Sequence, residues 1–231
     1  MKVDIVTLFP KMFAGPFDES IIKRAQEREI IEITLHDLRD FAHDPRRTVD
    51  ERPYGGGAGM VIMVEPIYEA VQKLKTKDSK VILVTPQGQP FKQNMAMDLS
   101  KEKHLIFITG HYEGFDERIR EHLVDMELSI GDYVLTGGEL PTMVMVDAIT
   151  RLIPGVLKKE EATVFETFAE VEIEKGKTKK VLEYPQYTKP VDFKGWKVPE
   201  ILMGGNHPEI AKWKKEESVK RTRAKRPDLL E

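Results

Sequence analysis

The chain alternates short apolar runs with longer amphipathic ones. Lys2 to Leu8 is a β-rich apolar run closed by Phe9-Pro10. Phe13, Phe17, Ile21 and Ala25 then recur at spacing four, one face of a helix, with Pro16 near its start. Ile30 to His36 predicts a second strand, and about Pro66 to Leu74 a helix. Three further runs are apolar almost throughout: Lys80 to Thr85, His104 to Thr109, and a third around Ser129 to Leu135. Buried-type strands separated by helical segments imply a parallel sheet covered on both faces. Each of the three ends at glycine or proline: Pro86-Gln87-Gly88, Gly110 and Gly137-Gly138. Open parallel sheets bind ligands beyond the carboxyl ends of their strands, so these three loops are candidate walls of one pocket. Glu139 to Leu152 predicts a long apolar helix stopped by Pro154-Gly155.

Two stretches break this rhythm. Asp37 to Met60 is polar and glycine-rich, with Arg46, Arg47 and Arg52 beside the run Tyr54 to Gly59. Connections this long inside a compact domain are usually functional or disordered. Glycine lets backbone N–H groups approach an anion, and the arginines suit RNA phosphate. The run is neither a Walker loop nor a dinucleotide fingerprint, and a flexible surface loop is the competing reading. After Leu157 the chain becomes charged. Lys158 to Lys180 reads as a solvated excursion, and a domain boundary is placed there. The end, Ala211 to Glu231, holds eight Lys/Arg against four Asp/Glu, a local charge of +4, and predicts a basic helix with Trp196 and Trp213 nearby.

Composition changes this picture little. A length of 231 residues suits one large domain or a medium one with a small companion. The net charge of −3 does not advertise a nucleic-acid partner, so the distribution of charge matters more than its sum. With no cysteine, disulfides, thiolate zinc sites and a catalytic thiol are excluded. The opening reads as a strand rather than a signal peptide, and no apolar run approaches the roughly 18 residues of a membrane span. A soluble, cytoplasmic protein is expected.

Candidate chemistry gathers at the strand ends. In Gly110 to Arg118, Asp116 and Glu117 stand at a helix start, where the helix dipole favours them. Glu113 lies in the turn itself, placed to hold a ribose hydroxyl or an amino group. His111 has no second ligand at metal-binding spacing. Ser129 to Pro141 runs from a strand through two adjacent glycines into a helix with proline in its first turn. Arg151, at the end of the apolar helix, reads on its own as a capping cation.

Together these stretches resemble the bacterial tRNA (guanine-N1)-methyltransferases, the TrmD family of the SPOUT class. The likeness rests on Thr7-Leu8-Phe9-Pro10, His43-Asp44 with Arg47 to Asp50, Arg52 to Gly57 with Gly59-Met60, Pro86-Gln87-Gly88, Tyr112-Glu113-Gly114 with Asp116-Glu117-Arg118, Ser129 to Val134 with Gly137 to Pro141, Ile153 to Leu157, Phe168-Ala169-Glu170, Pro185 with Tyr187-Thr188 and Pro190, and Gly205-Asn206-His207. They run in family order to the C-terminus.

The resemblance implies an α/β fold: a parallel-sheet SPOUT domain with a deep trefoil knot, then a small, mostly helical C-terminal domain. The expected bounds are 1–158 for the knotted catalytic domain, 159–170 for a linker and 171–231 for a tRNA-binding domain. It implies S-adenosylmethionine held by Pro86, Gly110, Tyr112, Glu113, Ile130, Gly131, Asp132, Tyr133, Val134, Leu135, Gly137, Gly138 and Pro141. RNA contacts are expected from Arg46, Arg47, Asp50, Arg52, Gly57 and Gly59. The implied reaction methylates N1 of the guanosine just 3′ of the tRNA anticodon, in a homodimer whose sites draw on both chains. Guanine N1 carries a proton at neutral pH, so a general base must remove it, and a guanidinium then stabilises the charge developing on O6. Arg151 matches the family's cation. The family's aspartate base falls at Glu166, a carboxylate one methylene longer. Glu170 matches a different family glutamate and is the weaker candidate base. His111 stands where many relatives have arginine, and Lys175 to Lys180 is a longer excursion than usual. Magnesium is expected from the family, with no ligands assigned. A non-catalytic RNA-binding protein and a methyltransferase acting on a ribose hydroxyl are the competing readings.

Overall fold

The computed structural model describes residues 1–158, 165–174 and 176–231. The chain forms two compact units, Met1–Lys158 and Lys159–Glu231.

In the first unit the elements follow one another as β1 (Lys2–Thr7), α1 (Ser20–Glu27), β2 (Glu32–Asp37), β3 (Asp50–Glu51), β4 (Val61–Ile62), α2 (Val64–Leu74), β5 (Ser79–Pro90), α3 (Gln93–Leu99), β6 (His104–Thr109), α4 (Glu117–His122), β7 (Met126–Ser129) and α5 (Glu139–Thr150). Five strands make one sheet in the order β2-β1-β6-β5-β7, every pairing parallel. Successive strand side chains point to opposite faces, and here both faces are buried. Val3, Ile5, Ile82, Val84, Leu105 and Phe107 face one apolar cluster with Met145, Val146 and Ile149 of α5. Val6, Val81, Leu83, Ile106 and Ile108 face the other with Ile67, Ala70 and Val71 of α2 and Ile119 of α4. The result is the expected parallel sheet between two helical layers.

Three local expectations differ from what forms. The spacing-four run from Phe13 crosses a turn: Pro10–Phe13 is a 3-10 helix, and α1 begins only at Ser20. Phe13 and Phe17 are buried from that turn, so burial rather than helical periodicity produced the pattern. β5 continues through the expected stop at Pro86, and Gln89 and Pro90 resume pairing with Leu128 and Ser129 after an irregularity. β7 ends at Ser129, so Ile130 to Leu135 lies in a loop. There the Ser129 hydroxyl donates to the Gly131 carbonyl at 2.9 Å and turns the chain. Tyr133, Val134 and Leu135 are exposed, although their apolar character suggested a buried strand.

The second unit holds β8 (Ala169–Glu174) paired antiparallel with β9 (Lys177–Val181), β10 (Asp192–Phe193) paired antiparallel with β11 (Trp196–Lys197), and α6 (His207–Lys225). It carries more strand than the mostly helical domain expected. Within the charged stretch read as a solvated excursion, Ala169–Glu174 pairs with Lys177–Val181 as amphipathic strands: Ala169, Val171 and Ile173 are half-buried while Glu170, Glu172 and Glu174 are exposed. β8 therefore begins inside the segment 159–170 expected as linker. Thr222 of α6 is buried, accepts from the Leu182 N–H at 2.8 Å and donates to the Ser218 carbonyl at 2.7 Å. Of the expected linker, 159–164 lies outside the described residues, as does Lys175 of the expected excursion. Among the described residues, no helix is long and apolar enough to cross a membrane.

Candidate functional site

The carboxyl ends of β5, β6 and β7 open into one cavity of about 210 Å³. Pro86 and Gln87 of β5, Gly110 to Phe115 after β6, and Ile130 to Gly138 after β7 (Asp132 excepted) form its walls, with Pro141 of α5. The loops are stitched together by backbone contacts: the Gly138 N–H donates to the Gly110 carbonyl at 2.7 Å, and His111 bridges Gly137. This approach requires glycine at 138, where a Cβ would stand 2.8 Å from the Gly110 nitrogen and 3.1 Å from the Thr109 Cα. Backbone cannot move aside as a side chain can, so this close approach tolerates nothing larger.

Of the residues expected to hold S-adenosylmethionine, all but one line this cavity: Pro86, Gly110, Tyr112, Glu113, Ile130, Gly131, Tyr133, Val134, Leu135, Gly137, Gly138 and Pro141. Asp132 is exposed and outside the lining. Tyr112 sits at φ 58°, a left-handed backbone that turns the chain into the pocket rim.

The arginine- and glycine-rich segment comes to the same rim. β3 and β4 pair as Asp50↔Ile62 and Glu51↔Val61, and β4 docks on the loop after β6. The Glu113 N–H donates to the Met60 carbonyl at 3.0 Å, and the Ile62 N–H to the Gly114 carbonyl at 2.9 Å. That docking sets Gly59 against Glu113, whose Cγ would lie 2.5 Å from a Cβ there. Arg46 and Arg52 are exposed, as is Gly57. Arg47, at φ 58°, is tied back instead: its guanidinium pairs with Asp40 and donates to the Arg39 carbonyl at 3.2 Å. Asp44 accepts from Thr48 and Arg46, with the Thr48 N–H foremost, and those bonds hold its carboxyl below the ordinary value of 3.8.

Arg151 is half-buried at the C-cap of α5, where its N–H donates to the Asp147 carbonyl at 3.2 Å. Glu166 is half-buried just before β8, and its carbonyl accepts from the Ala169 N–H at 3.0 Å. The first belongs to unit one and the second to unit two. Glu170, the other carboxylate weighed as base, is exposed on β8 opposite Lys180.

One residue lining the pocket and one buried behind Gly137 of its wall escaped sequence reasoning. Arg120 of α4 lines it with a side chain 10% exposed, paired with Glu127 of β7 and 3.4 Å from the Thr85 hydroxyl of β5. Glu139, 1% exposed, accepts from the Thr7 hydroxyl at 2.8 Å and the Thr109 hydroxyl at 3.5 Å. Its second oxygen and His111 Nδ1 are buried without a hydrogen-bond partner among the described residues. Arg120 lies three residues after Glu117 in α4, so it reads as an ordinary surface pair. Glu139 was visible only as a carboxylate in the first turn of an apolar helix.

Comparison with known proteins places these features in one lineage. The family model described as tRNA (Guanine-1)-methyltransferase TrmD matches residues 1–231. A tRNA (guanine-N(1)-)-methyltransferase of Dictyoglomus turgidum is 54% identical over 231 residues, covering 100% of this chain and 90% of the relative. Relatives of the same name from Anoxybacillus flavithermus and Dehalococcoides mccartyi are 52% and 49% identical, again over 100% of this chain and over 92% and 91% of their own lengths. With three strand-end loops closing on one cavity and the match running end to end, the chain belongs to the TrmD family of tRNA (guanine-N1)-methyltransferases.

Proposed function

We propose that this protein transfers a methyl group from S-adenosylmethionine to N1 of the guanosine immediately 3′ of the anticodon in tRNA. One observation carries the reading: the cavity at the ends of β5, β6 and β7, walled by the residues on which the family likeness rests. Its walls suit such a donor. Tyr133, Val134 and Leu135 offer apolar surface to a purine, and Glu113 is an acceptor for a hydroxyl or ammonium group. Bound there, the donor supplies a sulfonium-borne methyl. Glu166 takes the N1 proton of guanine, and the Arg151 guanidinium stabilises the charge that develops on O6. Arg46 and Arg52 contact RNA phosphates at the rim, where Asp50, Gly57 and Gly59 shape the surface the RNA meets. Arg47 shapes the loop through Asp40.

The same reading includes a deep trefoil knot formed by the loops after β5, β6 and β7. Its support is the close packing there, with Gly88 against the backbone of Glu127 and Leu128 and Gly138 against Gly110. Residues 171–231, with their basic tail, are the tRNA-binding part. The family likeness adds a homodimer with sites drawn from both chains, and the cytoplasm as its place. Magnesium does not fit as readily. Among the described residues, no group of three or more His, Asp or Glu side chains stands together to hold a metal.

Nuclease digestion of the methylated tRNA and mass analysis of its nucleosides tests the reading. N1-methylguanosine is the expected product. A ribose-methylated nucleoside, or no product at all, would overturn it.

A further inference from the structure

The β10–β11 hairpin presents an unusual surface. Its turn, Lys194-Gly195, has φ 55° and 86°, the left-handed pair of a tight two-residue hairpin. The Gly195 N–H donates to the Asp192 carboxylate at 2.8 Å, and the Val198 N–H to the Val191 carbonyl at 2.9 Å, so the turn is held at both ends. Phe193 and Trp196 are directly opposed in the ladder and therefore share a face. Their rings lie 5.8 Å apart at 61°. Trp196 is nevertheless 74% exposed and Phe193 51% exposed. The Lys194 ammonium stands 5.6 Å from the Phe193 ring centre.

We propose that this hairpin is a stacking platform for unpaired RNA bases, with Trp196 as its principal surface. The inference rests on the tRNA reading above and adds a contact to it. A fixed turn holds two aromatic rings in solvent without burying either, which is what an unstacked base requires. The charge is complementary: Lys189, Lys194 and Lys197 outnumber Asp192 around the rings, and the same unit carries the +4 tail. A cation beside the exposed rings suits a phosphodiester strand. Lys194 then meets backbone phosphate while the indole meets a base.

Binding of an unmodified tRNA transcript bearing guanosine 3′ of the anticodon tests this, with wild type, Trp196→Ala and Trp196→Phe compared. Losing one base stack lowers affinity about 5- to 100-fold. Trp196→Ala is expected to show that loss with an unchanged salt slope, because no phosphate contact is removed. Trp196→Phe should retain most of the affinity. In a Trp213→Phe background, oligoadenylate should quench the remaining indole fluorescence, a readout that does not depend on any variant at position 196. Wild-type affinity in Trp196→Ala, or an absence of quenching, overturns the proposal. So does a Trp196→Ala protein whose self-association falls while its tRNA affinity holds, which makes the face a contact between copies. Wild-type protein that neither binds nor methylates tRNA would overturn the functional reading as well, and the two failures are thereby told apart.

Discussion

The two ends of the central sheet are built on opposite principles. In its amino-terminal half, Asp4 is fully buried, and every bond its carboxylate accepts is accounted for. Lys2 Nζ lies at 2.9 Å, and His36 Nε2 and His104 Nε2 each at 2.7 Å. A carboxylate only accepts, so both imidazoles must present N–H to it. The Ser79 hydroxyl closes the chain at 2.7 Å from His104 Nδ1. At the carboxyl end the economy reverses: His111 Nδ1 and one Glu139 oxygen are buried without protein partners among the described residues, and Tyr133, Val134 and Leu135 face solvent. Satisfied buried polar groups hold a fold in one arrangement, whereas each unsatisfied one calls for a separate explanation. In the proposed reading, one end of the sheet holds the fold and the other serves the reaction.

The largest effect should come from the two residues proposed to carry the chemistry. Glu166→Gln and Arg151→Ala should each lower methyl transfer by about 10²- to 10⁴-fold, with donor affinity measured by calorimetry near wild type. If both kept wild-type turnover, the assigned base and cation would be wrong. Next is the closed end. Asp4→Ala leaves two histidines and a lysine without their shared acceptor, and breaking such a buried cluster costs about 3 kcal/mol or more. For a domain of this size that is a fall in Tm of about 6–12 °C, with donor binding to the folded protein unchanged. An unaltered melting curve, or a donor affinity that falls in step, would erase the distinction between the two ends.

Gly138→Ala sharpens the comparison from the other side. Overpacking against the Gly110 backbone costs about 1–3 kcal/mol, and the distortion falls on the cavity proposed for the donor. Donor affinity should drop about tenfold or more, and a variant that binds the donor normally would show that this approach is not tight.

The smallest effect is in acid. Burial pushes the Asp4 carboxyl up, but the hydrogen bonds from His36, Lys2 and His104 together outweigh it and hold the group below its ordinary value of 3.8. A carboxylate depressed in the folded state contributes stability that is present above the unfolded value and lost as pH falls through the lower folded one. Urea midpoints of wild type and Asp4→Asn should therefore differ steadily at mildly acidic and neutral pH and converge below about pH 3.8. A gap that widened in acid would contradict that assignment.

The open end was the more legible in the sequence. Apolar runs that stop at glycine or proline located the walls after β5 and β6, because a parallel strand buried on both faces leaves an unbroken signal, and the third wall was located by Gly137-Gly138. Where that signal failed, the same physics explains it. Tyr133-Val134-Leu135 extended the third run by apolar content alone, yet these residues line the pocket rather than a strand. The β8–β9 hairpin hid under its charge, although Ala169-Glu170-Val171-Glu172-Ile173-Glu174 alternates with period two, the pattern of a half-buried strand. The Asp4 cluster could not be read at all. Its histidines lie 32 and 100 residues away, and a lone aspartate in an apolar strand looks only like an interruption. The proposed chemistry comes from family likeness and not from spacing, since Arg151 on its own reads as a helix cap.

Methyl transfer from labelled S-adenosylmethionine to two otherwise identical unmodified tRNAs, one with guanosine and one with adenosine 3′ of the anticodon, tests the central claim most directly. Label in the guanosine tRNA alone, recovered as N1-methylguanosine, is the predicted result. Equal labelling of both, or none in either while the protein still binds the donor, would contradict it.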